Sequence, residues 1–146
     1  MSLLWTAVAF IVALGVLIVV HEYGHYLVAR LCKVKVLRFS VGFGRPLFNW
    51  RGRDGTEWVI AAVPFGGYVK MLDEREAPVR ADDLPRAFNR QSVWRRTAIV
   101  AAGPMANFLF AIAVYAGLFM YGLPEARTTG CGRHRAGLRR AGDVRG

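Results

Sequence analysis

Acidic side chains are scarce in this chain. Ten Asp and Glu stand against twenty Lys and Arg in 146 residues, a net charge of +10. Cysteine is rarer still, with only Cys32 and Cys131. Two cysteines exclude a disulfide framework, and Cys32, close behind an apolar run, reads as a small buried or interfacial residue. The first twenty positions hold no Lys or Arg, and Thr97 to Leu123, 27 positions, hold no charge of either sign. A chain that is 54% hydrophobic and charge-free over such stretches is too apolar for a soluble domain with a polar exterior. The basic excess does not point to nucleic acid. It lies beside the apolar segments, with no aromatic-interleaved basic stripe to form a groove. A membrane-facing role for that charge is simpler.

The apolar runs set the organisation. Leu3 to Val20 contains no charge, and Thr6 is its only plainly polar member. Apolar character resumes after His25 and ends at Arg30, so residues 1–31 are expected to form one transmembrane helix. A signal peptide fits poorly: no basic residue precedes the run, and no small-residue cleavage site follows it. Residues 97–124 form the second expected span, with Arg95 and Arg96 as headgroup anchors and Gly103-Pro104 predicting a kink or a late start. Between the spans, residues 32–96 contain two strand-like stretches, Val34 to Phe43 and Glu57 to Val63. The Asp54-Gly55 pair between them is a hairpin-turn signal. Pro64-Phe65-Gly66-Gly67 breaks the second stretch, and Leu72 to Asn89, charged and with two prolines, reads as an exposed loop. The positive-inside rule places residues 32–96, rich in Lys and Arg, in the cytoplasm and the N-terminus outside. Residues 125–146 carry an Arg/Gly-rich tail, expected to be disordered. The fold class expected is a membrane protein, mainly α. Two transmembrane helices flank a membrane-associated β-hairpin-like segment.

Chemistry concentrates in His21-Glu22-Tyr23-Gly24-His25. This is an H-E-x-x-H pentad at the end of the first apolar helix. Positions i and i+4 share a helix face, so both imidazoles can hold one metal ion, and zinc suits the ligand type. Glu22 is placed as the general base that activates a water there. Helix-packing histidines are the plain alternative. Ionisable groups at membrane depth are costly, and metalloprotease spacing favours the metal. A catalytic zinc takes three protein ligands, and the sequence offers no obvious third, since Glu22 is the only carboxylate in either apolar segment. Asn107, in the second span, reads equally as a helix-pairing residue or as active-site support. Gly42-Phe43-Gly44 as a phosphate loop is weak, and close backbone approach is the better reading of its glycines.

The pentad resembles that of the site-2 protease family of intramembrane zinc metalloproteases. Further matching blocks are Arg38 to Gly44, Pro64 to Glu74 and Ala102 to Phe108, in order over about residues 1 to 124. The resemblance implies zinc held by His21 and His25. It also implies a hairpin-like loop that dips into the membrane and binds substrate as an added strand, with Gly42, Phe43 and Gly44 at its G-x-G element. By the same resemblance the partners are the lipid bilayer and a membrane-anchored protein substrate, an anti-sigma factor trimmed on its outer side. No nucleic acid is involved, and the location is the bacterial inner membrane, multi-pass. After about residue 124 the sequence departs from the family, which continues into PDZ domains and further helices, one carrying an Asp that completes the zinc site. A truncated or frameshifted reading frame is expected there. The alternative is an inactive membrane fragment or a membrane-embedded binding module without catalysis.

Overall fold

The computed structural model describes residues 2–76 and 78–122; the expected disordered tail lies outside them. Helix α1 spans Leu3–Leu31, strand β1 Val36–Arg51, strand β2 Glu57–Met71 and helix α2 Val93–Met120. The helices, 29 and 28 residues long, outweigh strands of 16 and 15. The sheet is nonetheless a larger share of the fold than a hairpin-like insert.

Both helices are long and apolar enough to cross a membrane. None of the apolar window of α1 is buried within the protein, whereas a soluble core helix of that hydropathy would be covered. Aromatic residues lie exposed at both ends of the antiparallel pair, Trp5 and Tyr121 at one, Trp50 and Trp94 at the other, as in interfacial belts. The helices meet through small residues. Gly24 lies so close to α2 that a Cβ there would stand 2.5 Å from Ala102 O and 2.7 Å from the Ala106 methyl. Such approach is how helices pack when no hydrophobic force separates protein from lipid. Pro104 sits within α2 without ending it. Ser92 caps the start, its hydroxyl accepting from Arg95 N, so the helix begins ahead of the second apolar run.

The C-terminus of α1 closes in a Schellman motif. Val34 N donates to Ala29 O at 2.9 Å and Lys33 N to Arg30 O at 3.0 Å. Lys33 occupies the left-handed position of this motif, with φ 62°. Val34 and Ala29 are buried in the main apolar cluster with Val36 and Ile99, against which Tyr26, Val69, Met71 and Phe88 pack. Phe88 lies in one of two short 3-10 turns, Ala81–Arg86 and Phe88–Arg90. The stretch expected to be an exposed loop thus supplies a side chain to the core.

β1 and β2 pair antiparallel, but each bends back on itself. β1 runs well past Phe43. Its residues Arg38 to Val41 have two sets of partners, Glu57 to Ile60 on one side and Gly67 to Lys70 on the other. Pro46 to Arg51 then pair with Glu57 to Ala61. The first half of β1 is therefore the centre of the sheet, and Gly67 to Met71 forms one outer edge. The bends fall where glycine takes positive φ, at Gly42 and Gly44 (both 89°) and at Gly66 (109°). A Cβ on Gly42 would also stand 2.7 Å from Val63 O. Tyr26 of α1 joins Phe39 and Trp58 of the sheet, with ring centroids 4.6 to 5.8 Å apart. The turn residue Asp54 accepts from the Tyr26 hydroxyl and from Arg30. These contacts fix the sheet against the end of α1 that carries the pentad.

Candidate metal centre

The helical pitch of α1 puts His21 and His25 on the face turned to α2. Their rings lie edge to face, centroids 4.9 Å apart. Opposite them α2 presents Gly103. A Cβ there would stand 2.7 Å from His21 Nε2 and closer still to His25 Nε2. Both Nε2 atoms thus approach the Gly103 backbone more closely than any residue with a side chain would allow. The Gly-Pro pair drew attention in the sequence as a kink signal; its glycine instead leaves room for the imidazoles.

The Nδ1 atoms are engaged elsewhere. His25 Nδ1 lies 2.7 Å from Ile99 O. A carbonyl oxygen only accepts, so Nδ1 carries the hydrogen and Nε2 keeps its lone pair. Pro104 lacks the N–H that the Val100 carbonyl would otherwise receive, and its ring loosens the preceding turn of α2. Ile99 O lies in that turn and accepts a bond from outside the helix. Asn107 faces the other imidazole, with Nδ2 3.4 Å from His21 Nδ1. Its Oδ1 is buried and has no partner among the described residues. Turning the amide over gives that oxygen a donor, His21 Nδ1–H, and puts both histidines in one tautomer.

Glu22 projects toward the sheet. A Cβ on Gly67 would lie 2.9 Å from Glu22 Cγ and 2.7 Å from Ser40 O, so Gly67 lets the edge strand reach the carboxylate side chain. Glu22 and His25 open onto a recess of about 220 Å³ lined further by Val69, Met71, Phe88 and Ile99. Gly42, Phe43 and Gly44 lie apart from this point. The nearest neighbours of Gly42 are Val63 and Ala61, and Gly44 has only Val63 within 4 Å. Phe43 stacks on Tyr68 at 6.1 Å. The G-x-G element forms the bend of β1, and the sheet residue against the pentad is Gly67.

The donor set fits a metal ion in part. Two imidazole nitrogens lie side by side against Gly103, with the Glu22 side chain nearby. No group of three His, Cys, Asp or Glu able to hold a metal occurs among the described residues.

Comparison with known proteins gives the family. Residues 9–139 match Peptidase family M50, and the chain belongs to that family, a class of metalloproteases. Among its relatives is the regulator of sigma-E protease RseP of Salmonella typhimurium, 57% identical over 127 residues. RseP of Escherichia coli K12 is likewise 57% identical over 127 residues. Each comparison covers 87% of this chain and 28% of the relative. A protein of Vibrio cholerae named as a zinc metalloprotease is 54% identical over 126 residues, 86% of this chain and 28% of its own length. The chain thus spans between a quarter and a third of the length of these relatives.

Proposed function

We propose that the chain forms part of a zinc-dependent intramembrane endoprotease. Its substrate is a membrane-anchored regulatory protein of the anti-sigma-factor kind. One observation carries this reading: His21 Nε2 and His25 Nε2 converge over Gly103, with Glu22 beside them and in contact with Gly67. In this account His21 and His25 bind the zinc, and Asn107 and Ile99 O orient their rings. The third ligand is an Asp on a further helix outside the described residues, as the family resemblance implies.

Zinc, when bound, supplies Lewis acidity toward water and the scissile carbonyl. Glu22 takes a proton from the attacking water as its oxygen bonds to the carbonyl carbon. The same carboxyl returns that proton to the amide nitrogen as the C–N bond breaks. A helix hides its peptide bonds, so the substrate must be extended. The Gly67–Met71 edge is the pairing surface, because Gly67 brings it against Glu22, while Gly42, Phe43 and Gly44 shape the bend behind it. The exposed Phe43 ring packs on Tyr68 of that edge and keeps a supporting role in substrate binding. The protein lies in the bacterial inner membrane with its N-terminus outside and residues 32–96 on the cytoplasmic side.

Cleavage of a model membrane substrate by the purified protein, wild type against Glu22→Gln, tests the reading. Glu22→Gln is expected to keep zinc and lose at least about a hundredfold in rate. Equal rates in both sink the protease reading. The two-ligand set among the described residues favours one alternative, a membrane-embedded binding module that keeps the sheet edge and binds no zinc. Substrate capture without zinc or cleavage would select it.

A further inference from the structure

The C-terminal turn of α1 carries a residue that stability alone would not choose. The Schellman position with φ near +60° favours glycine, since an L side chain there is strained. Here it is Lys33, φ 62°. Strain of this kind, where the surroundings hold it, points to a use for the side chain. Lys33 lines a recess of about 490 Å³ together with Arg30, Arg86, Val34 and Asp54.

The recess is built rather than incidental. Val34, nearly fully buried, forms its floor. The 3-10 turn that bears Arg86 is tied to the helix end by Lys35 N donating to Arg86 O at 3.0 Å. Three cations therefore face one space from two chain segments. Their opposing charge is limited. Asp54 is shared by Arg30, Tyr26 and Thr56. Asp83 pairs at 2.7 Å with Lys35 and only at 3.9 Å with Arg86. Among the described residues Lys33 has no carboxylate within ion-pair distance. The net charge of the recess is positive, and its donors suit a phosphate.

Depth points to the source of that phosphate. Arg30 lies 27 residues after Leu3 in α1, about 40 Å along the axis. That is past the ~30 Å hydrocarbon core and within the headgroup layer. Trp94, 85% exposed, starts α2 at the same end of the pair, where indole rings mark the interface. We propose that Arg30, Lys33 and Arg86 form a binding site for a phosphate group, presented by the headgroup of an anionic phospholipid. A phospholipid held there would brace the turn that ties α1 to the sheet.

The test is lipid binding to the purified protein in neutral detergent, titrated with phosphatidylglycerol, phosphatidylcholine or inorganic phosphate and read by native mass spectrometry. Wild type is expected to retain phosphatidylglycerol preferentially. Lys33→Gly is expected to weaken that binding about fivefold, the effect of one interfacial charge, while raising the thermal midpoint, because glycine relieves the strain. Arg86→Gln is expected to weaken binding similarly. Arg51→Gln, a charge removed from the far edge of the sheet, is the control and leaves binding unchanged. Inorganic phosphate bound as tightly as phosphatidylglycerol would reassign the site to a soluble anion and overturn the lipid source. Equal effects of all three substitutions, or no preference for phosphatidylglycerol, would overturn the site itself.

Discussion

Gly103 decides whether two histidines can share a metal. It lies on α2, 78 residues beyond His25, and contributes only the absence of a side chain. Gly103→Ala should leave both helices intact, since alanine is the better helix former by about 1 kcal/mol. Its methyl would nonetheless clash with the Nε2 atoms of both imidazoles and push the rings out of place. The expected outcome is normal helicity by circular dichroism and zinc affinity reduced at least about tenfold, in the range seen when ligand orientation is lost. Undiminished zinc affinity would mean the metal sits elsewhere. The proposed metal ligands were legible in the sequence because H-E-x-x-H has a fixed spacing on a helix. Gly103 was not, because an open space against a distant helix leaves no local pattern. Asn107 was half legible. A polar residue in a charge-free run is conspicuous, but only its contact with His21 Nδ1 separates ring orientation from plain helix pairing.

At the scale of elements, the sheet depends on its anchorage to α1 through Asp54. Burial alone would raise the pKa of this carboxyl. Hydrogen bonds from Thr56 and Tyr26 outweigh burial and hold it below its usual value of 3.8. A group whose folded pKa is depressed stabilises the fold above its unfolded pKa, and that contribution fades as pH falls through the folded value. Thermal stability in detergent is therefore expected to drop as pH falls below about 4, and Asp54→Asn should flatten that drop. The Asp54 side chain is 18% exposed in a turn at the protein surface, so the effect is modest; an unchanged acid profile in Asp54→Asn would show that the turn is not anchored through this charge. The Asp-Gly turn itself was readable from sequence, as were both helices from their apolar runs. The doubling back of β1 and β2 was not. The pattern beyond Phe43 is broken by Gly44, Arg45 and Pro46, and only the register, in which Phe39 faces both Trp58 and Val69, makes one element of it. Phe88 escaped for a related reason, since proline and charge around it mask a side chain that packs against the cluster of Ala29, Val34, Val36 and Ile99.

Over the whole molecule, two antiparallel helices hold the pentad about 8 to 14 Å short of the Arg30 level, with a bent sheet closing one side. The proposed peptide hydrolysis at a membrane interface would use this geometry with extended substrate at the Gly67 edge and the base and imidazoles within reach. In that proposal the basic end near Arg30 marks the depth; the small residues Gly24, Ala102 and Ala106 fix the helix spacing. The proposed function rests on one metal held by α1. X-ray absorption spectroscopy of the zinc-loaded protein reads that metal's surroundings directly. The account predicts one zinc per chain, nitrogen and oxygen neighbours at about 2.0–2.1 Å with imidazole scattering, and loss of that scattering in His21→Ala/His25→Ala. A sulfur shell, or zinc still held with imidazole ligands in the double variant, would contradict it.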